Sequence, residues 1–220
     1  MKFLHEKIDL GYEDLRAVTQ PNGRTYETPE GSYPSVTTVL KLLSQDSIAA
    51  WRKRVGEDVA NQISYRAANR GTAVHSIIER YLDNNVEYDK DVMPDVLSTF
   101  KDVQPILDKH ITEILGLEAP LYSKHLKLAG RVDCVGVFDN KLSIIDFKTS
   151  RKIKKKEWIH NYFAQASAYA IMFEERTGIP VPQLVIIIAV DNEEPQVFIE
   201  KRDDWTDLLF KAKQIYESRV

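Results

Sequence analysis

From about Glu57 to Leu82 apolar residues recur at helical spacing, with Ile63, Ala67, Val74, Ile77, Ile78 and Tyr81 as examples, and predict a long amphipathic helix. Ahead of it, Ser35 is placed to cap a helix through Val36, Val39, Leu40 and Leu43, and Ser47 a second through Ile48 and Trp51. Another helix is expected over Asp95 to Leu115. The period then shortens. Gly130 to Phe138 and Lys141 to Lys148 are rich in β-prone residues and flank Asp139-Asn140, a two-residue turn signal, so this stretch predicts a β-hairpin. A helix follows from about Glu157 to Thr177, closed by Gly178 with Pro180 beyond it. Gln183 to Val190 is nearly all aliphatic, as a strand covered on both faces should be. Phe198 and Ile199 mark a further strand, and Trp205 to Tyr216 a closing helix. Near the start, Pro21-Asn22-Gly23 and Pro29-Glu30-Gly31 bracket Arg24-Thr25-Tyr26, which predicts a small hairpin or extended arm with little to say about function.

Helices alternating with strands over 220 residues make one α/β domain the expectation, with an arm or hairpin at 1–33, a core at 34–200 and a C-terminal helix at 201–220. Composition narrows the partners. A formal net charge of -3 lacks the basic signature of a protein that coats nucleic acid, so any such contact has to come from local patches. Cys134 is the only cysteine, which excludes intramolecular disulfides and any cysteine-ligated cluster held by this chain alone, and fits a reducing cytoplasm. Residues 1–10 have no uninterrupted apolar stretch, and no apolar run approaches the ~20 residues of a membrane span, so a cytoplasmic protein without a membrane partner is expected. No glycine-rich phosphate loop ends in Gly-Lys-Ser/Thr, so nothing supports nucleotide hydrolysis.

Asp146-Phe147-Lys148 ends an otherwise hydrophobic predicted strand. Residues two apart on a strand point to one side, so the Asp146 carboxylate and the Lys148 ammonium meet while Phe147 faces away. An isolated Asp-x-Lys of this kind is most often a surface ion pair. Here the turn at Asp139-Asn140 also sets Asp133 directly opposite Asp146. Two carboxylates facing one another repel and call for a counter-ion, and oxygen donors of this kind suit Mg²⁺ or Mn²⁺. The alternative, in which Lys148 pairs with one carboxylate while water solvates the other, stays open on these residues alone.

In order along the chain, Gly71-Thr72-Ala73-Val74-His75, Gly130-Arg131-Val132-Asp133, Asp146-Phe147-Lys148-Thr149 and Gln165 to Tyr169 resemble the motifs of the RecB-like branch of the PD-(D/E)XK nucleases. Through Trp51-Arg52-Lys53-Arg54, Glu118 and Asp146-Phe147-Lys148-Thr149-Ser150 the likeness is closer to the mitochondrial genome maintenance exonucleases and their phage and bacterial relatives, over roughly residues 34 to 200. The resemblance implies a restriction-endonuclease-like core, a mixed central β-sheet flanked by helices, with an N-terminal helical layer over the site. It implies Asp133 and Asp146 as metal ligands, the Phe147 carbonyl as a further oxygen, His75 as a nitrogen ligand and Glu118 as an additional carboxylate of the metal shell. Lys148 would activate the attacking water, while Gln165 and Tyr169 would steady the lysine or touch the DNA backbone. The activity implied is Mg²⁺- or Mn²⁺-dependent cutting of DNA, single-stranded or with a free end, by an exonuclease in a bacterial or phage-infected cell. An endonuclease, an exonuclease acting on duplex ends, and a non-catalytic DNA-binding module remain the alternatives. Val132 stands where the eponymous proline would precede the aspartate.

Gly71, His75 and Glu79 are spaced to share a helical face, which would let another element approach at Gly71 and Glu79 hold the free imidazole nitrogen. Two basic clusters flank the motifs. Lys152, Lys154 and Lys155 follow Ser150 directly and are expected to form a backbone-binding rim. Arg52 after Trp51, with Arg66 and Arg70 ahead of Gly71, would line the other wall, with Trp51 or Tyr65 stacking on bases.

Overall fold

A computed structural model describes residues 2–219; Met1 and Val220, the outermost residues of the expected arm and closing helix, lie outside the described residues. The chain opens with β1 (Leu4–His5) and a meander of β2 (Arg16–Gln20), β3 (Gly23–Thr28) and β4 (Gly31–Pro34), turning where Pro21-Asn22-Gly23 and Pro29-Glu30-Gly31 predict. Ser35 caps α1 (Val36–Leu40), its hydroxyl accepting from the Thr38 N–H at 3.0 Å. Then come α2 (Gln45–Val55), α3 (Glu57–Leu82) and α4 (Pro94–His110). The strands β5 (Ile111–Ser123), β6 (Leu128–Phe138) and β7 (Lys141–Ser150) follow, then α5 (His160–Thr177), β8 (Gln183–Val190), β9 (Gln196–Lys201) and α6 (Thr206–Glu217).

Six strands form a mixed sheet in the order β1-β5-β6-β7-β8-β9, parallel between β1 and β5 and between β7 and β8. Helices cover both faces. On one, α5 with α1 and α6 packs Phe163, Ala166 and Leu209 over Ile144, Ile186 and Ile188; on the other, α3 and α4 bring Ile77, Phe100 and Leu107 onto Ile145, Phe147 and Ile187. This is the mixed α/β architecture expected. β8 is buried along its whole length because both layers press on it, which accounts for its unbroken aliphatic sequence. The β2–β4 meander is a separate three-stranded sheet, joined to the main one by Tyr26 packing on Tyr122 and Ala129.

Asp139 and Asn140 both take positive φ, 50° and 62°, as a two-residue hairpin turn requires. β6 and β7 then pair from Phe138↔Lys141 to Cys134↔Ile145 and part beyond that point. Gly178, at φ 73°, ends α5 in the left-handed conformation.

Two expectations are corrected. The helix expected over Asp95 to Leu115 stops at His110, and Ile111 to Leu115 begins β5. Val103, Leu107, Ile111 and Leu115 keep a helical spacing, but Ile111 and Ile114 are β-branched and gain partners across the sheet in Phe138 and Gly136. The second short helix starts at Gln45, not at a Ser47 cap, because a tight turn over Lys41–Ser44 leads straight into it.

Candidate active site

Ladder pairing puts three carboxylates in one row across three neighbouring strands. Glu118 of β5 falls opposite Asp133 of β6, between the pairs Leu117↔Cys134 and Ala119↔Val132. Asp133 falls opposite Asp146 of β7, one step past Cys134↔Ile145, where the strands part. That fork leaves the Phe147 N–H without a ladder partner, and Asp133 Oδ2 accepts it at 2.8 Å. Glu118 has φ 45°, an uncommon backbone state for a residue with a side chain, held where its own carbonyl accepts from Arg131 Nη1 at 2.5 Å.

His75 reaches the fork from α3. Its Nδ1 lies 3.5 Å from Asp133 Oδ2, and one donor atom each of His75, Glu118 and Asp133 lie within 4.8 Å of one another. Asp146 is fully buried and turned toward α5: Lys148 Nζ lies 2.5 Å from its Oδ2, and Gln165 Nε2 donates to its Oδ1 at 3.2 Å. Lys148 is therefore the direct charge partner of the buried Asp146 Oδ2. Tyr169, also buried, lies 3.5 Å from Gln165. Tyr169 fits because residue 130 is glycine: a β-carbon there would stand 2.7 Å from its ring.

Burial disfavours every charge here, and the neighbours decide which survive. Burial raises Asp133, but His75 and Lys148 outweigh it and hold this carboxyl below its usual range. Burial pushes Asp146 up to about 6, with the Asp133 charge adding to the rise against Lys148. Glu118 goes up to about 7 through burial and the charges of Asp133 and Glu79. Burial lowers His75 and Lys148, yet the neighbouring carboxylates outweigh it and shift both upward.

His75, Glu118, Asp133 and Lys148 open into a cleft of about 890 Å³ that also reaches Gly71, Arg131 and, on the N-terminal sheet, Arg24 and Tyr26, whereas the buried Asp146 does not line it. The arm expected to say little about function therefore supplies a wall. Glu79 lines the cleft but is exposed and makes no hydrogen bond to His75 among the described residues. A methyl at Gly71 would sit 3.7 Å from Thr149 Oγ1, ordinary contact, so close approach does not require glycine there.

The outer residues are placed less uniformly. Arg66 and Arg70 of α3 share a neighbouring cleft of about 330 Å³ with Ser150 and Arg151. Arg70 is ion-paired to Asp191, and the Ser150 hydroxyl donates to the Lys152 carbonyl at 2.6 Å, so neither is idle. Lys152 and Lys155 are exposed, and the Lys154 backbone is pinned by Gln196 at 2.7 and 2.9 Å. Trp51 and Arg52 lie on α2, where Arg52 is paired with Glu57. Tyr162 was missed. Its ring lies 5.2 Å from Lys148 Nζ, and its spacing from Gln165 and Tyr169 on one helix face was the available signal.

A mixed sheet with a carboxylate, histidine and lysine cluster at a strand fork defines a restriction-endonuclease-like α/β protein. The chain belongs to the PD-(D/E)XK nuclease superfamily, whose family model matches residues 86–218. It is 28% identical over 184 residues to the mitochondrial genome maintenance exonuclease 1 of Xenopus tropicalis, covering 75% of this chain and 50% of that protein. The human protein of that name is 29% identical over 132 residues, 55% of this chain and 38% of the relative. The chain thus spans half or less of the length of these curated relatives. A crystal structure of a candidate exonuclease from Eubacterium rectale superposes with a TM-score of 0.47 at 15% identity, over 68% of this chain and 65% of that one. Among the described residues, no helix is long and apolar enough to cross a membrane.

Proposed function

We propose that this chain, acting as one nuclease domain over residues 1–220, is a divalent-metal-dependent deoxyribonuclease that removes nucleotides from a free end of single-stranded DNA. The observation that carries the proposal is the row Glu118, Asp133 and Asp146, with His75 and Lys148 facing one cleft. The names of the Xenopus and human relatives support the exonucleolytic reading.

The donors fit Mg²⁺ or Mn²⁺. His75, Glu118 and Asp133 converge, and the Asp146 carboxylate stands next to Asp133 in the same row. These four side chains would hold the ion, together with the Phe147 carbonyl, which lies on the same strand edge as the N–H that Asp133 binds. When bound, the ion lowers the pKa of coordinated water and neutralises charge on the phosphoryl group. The protein's own groups supply the rest. Lys148 stays charged, and its ammonium orients the attacking water and stabilises negative charge building on the phosphate. Gln165 fixes Asp146 from behind, and Tyr169 fixes Gln165. Lys152, Lys154 and Lys155, with Ser150, form a rim for the strand's phosphates, opposed by Arg66 and Arg70; Trp51 and Arg52 lie further out on α2.

The test is digestion of end-labelled linear single strands, circular single strands and duplex, with Mn²⁺ and with chelator. Linear single strands should be degraded, circles spared and chelator samples inert. Asp146→Asn and Lys148→Ala should each lower the rate by about 10²–10⁴-fold while strand binding persists. Cutting that survives both substitutions would sink the assignment, and cut circles would replace the exonuclease by an endonuclease.

A further inference from the structure

We propose that, on one side of the scissile phosphate, the bound strand runs through a second cleft beneath the β2–β3 turn, with Arg24 holding a phosphate at its entrance. This rests on the nuclease reading above and extends it to a substrate path.

Two further clefts adjoin the site, and their sizes, about 730 and 740 Å³, do not distinguish them. Charge does. The larger shares Glu79, Glu118 and Arg131 with the site and adds Asp9, Glu13 and Asp14 against the single further cation Lys7, so its carboxylates outnumber its cations. The other shares Thr19, Arg24, Thr37 and Gln165 with the site, and among the described residues no aspartate or glutamate lines it. Its remaining polar lining includes Gln20, Asn22, Lys41, Asn161 and Arg219. A polyanion leaving a site already dense in carboxylates meets repulsion along the first route and cations along the second.

Arg24 stands where the two spaces meet. Of the three cations lining the site cleft, Lys148 is paired to Asp146 and Arg131 to Asp14, whereas Arg24 has no carboxylate partner among the described residues. Among the described residues its side chain hydrogen-bonds to the Thr19 hydroxyl alone, at 3.4 Å, and Arg24 is exposed. Its backbone is clamped. The Arg24 N–H donates to Thr38 Oγ1 at 2.9 Å, and its carbonyl accepts from the Ser35 N–H at 2.8 Å. Beside it, Gly23 has φ 134°, and a β-carbon there would lie 2.3 Å from Thr38 Cγ2, so the turn is seated on α1 with no room for a side chain. A rigidly held backbone carrying an unpaired guanidinium at the mouth of an acid-free channel is an arrangement suited to a phosphate. Tethered so, the N-terminal sheet acts as part of the substrate-binding surface.

The experiment uses the full chain with Mn²⁺ and linear single-stranded oligonucleotides. Arg24→Glu should raise KM about tenfold with kcat within about twofold, and should flatten the slope of log affinity against log salt by roughly 1, whereas Arg24→Lys retains most affinity. Lys41→Glu, in the same cleft but on another element, should shift KM in the same direction. Glu13→Gln, in the acidic cleft, should leave KM unchanged. Oligonucleotides with a photoreactive base on either side of the scissile position, bound to Asp146→Asn protein, should crosslink to residues 20–24 or to Asn161. Unchanged KM in both Arg24→Glu and Lys41→Glu, or crosslinks at Asp9 to Asp14 instead, overturns the path while leaving the nuclease assignment intact. A wild-type chain that neither binds nor cuts single strands overturns the nuclease assignment, and the path with it.

Discussion

Glu118 concentrates the electrostatic tension of the site. It has an unusual backbone conformation, sits beside Asp133, and its carboxyl is pushed up to about 7 by burial and then by the charges of Asp133 and Glu79. The sign of the consequence follows from proton counting. With a folded pKa near 7 and an ordinary value of 4.5, the folded form keeps a proton that the unfolded chain has released, so stability falls as pH rises between these values. In chelator, Glu118→Gln should remove this slope. It should match wild type at pH 4 and melt roughly 2–4 °C higher at pH 8, for a gain of about 1 kcal/mol after allowing for solvent screening of a half-exposed group. Calorimetry across that range checks it, and equal melting at pH 8 would remove the charge argument.

Among the elements, the hairpin β6–β7 and the helix α5 behind it come together most tightly where Gly130 meets Tyr169. Gly130 leaves room for the Tyr169 ring, so Gly130→Ala forces a displacement of backbone or ring in a packed region and should cost about 1–3 kcal/mol of stability. Denaturant titration measures it, and Gly130→Ala with Tyr169→Leu should recover part of the loss. The helices α2 and α3 make a contrasting case. α2 buries no residue, and α3 buries only Ala60 before Val74, whereas its second half buries Val74, Ile77, Ile78, Tyr81 and Leu82. Amides of residues 45–70 should therefore exchange through local opening well before those of residues 74–82. Equal protection along α3 would contradict that division. Trp51, Arg52 and Arg66 lie on this lightly anchored stretch.

For the whole molecule, the sheet is a rigid platform whose two helical layers meet different sides of one fork: α3 brings His75 to Asp133, and α5 brings Gln165 to Asp146. Buried like charges at such a fork cost stability that a bound divalent cation would recover. Mn²⁺ at about a hundred times its dissociation constant should add roughly 3 kcal/mol, a melting shift of about 5–10 °C. Asp133→Asn should abolish most of that shift. A wild-type melting temperature indifferent to Mn²⁺ would argue against an ion at the fork.

The nearness of Asp133 to Asp146 was legible in the amino-acid order, because it depends on a short loop: Asp139-Asn140 sets the turn, the turn sets the register, and the register sets the carboxylates opposite each other. The span of α3, with His75 on it, and the fully buried strand β8 were legible too, since each follows from local periodicity. Only the tertiary structure made β5 a strand, because the spacing of Ile111 and Leu115 suits a helix equally and pairing with β6 decides between them. With β5 came the position of Glu118 beside Asp133. Which arginines are paired was likewise decided in three dimensions: Arg131 meets Asp14 from a distant part of the chain, while Arg24 is left with an open channel. Local pattern reports contacts between near neighbours in sequence, whereas ion pairs and clefts between distant segments exist only once the layers have closed.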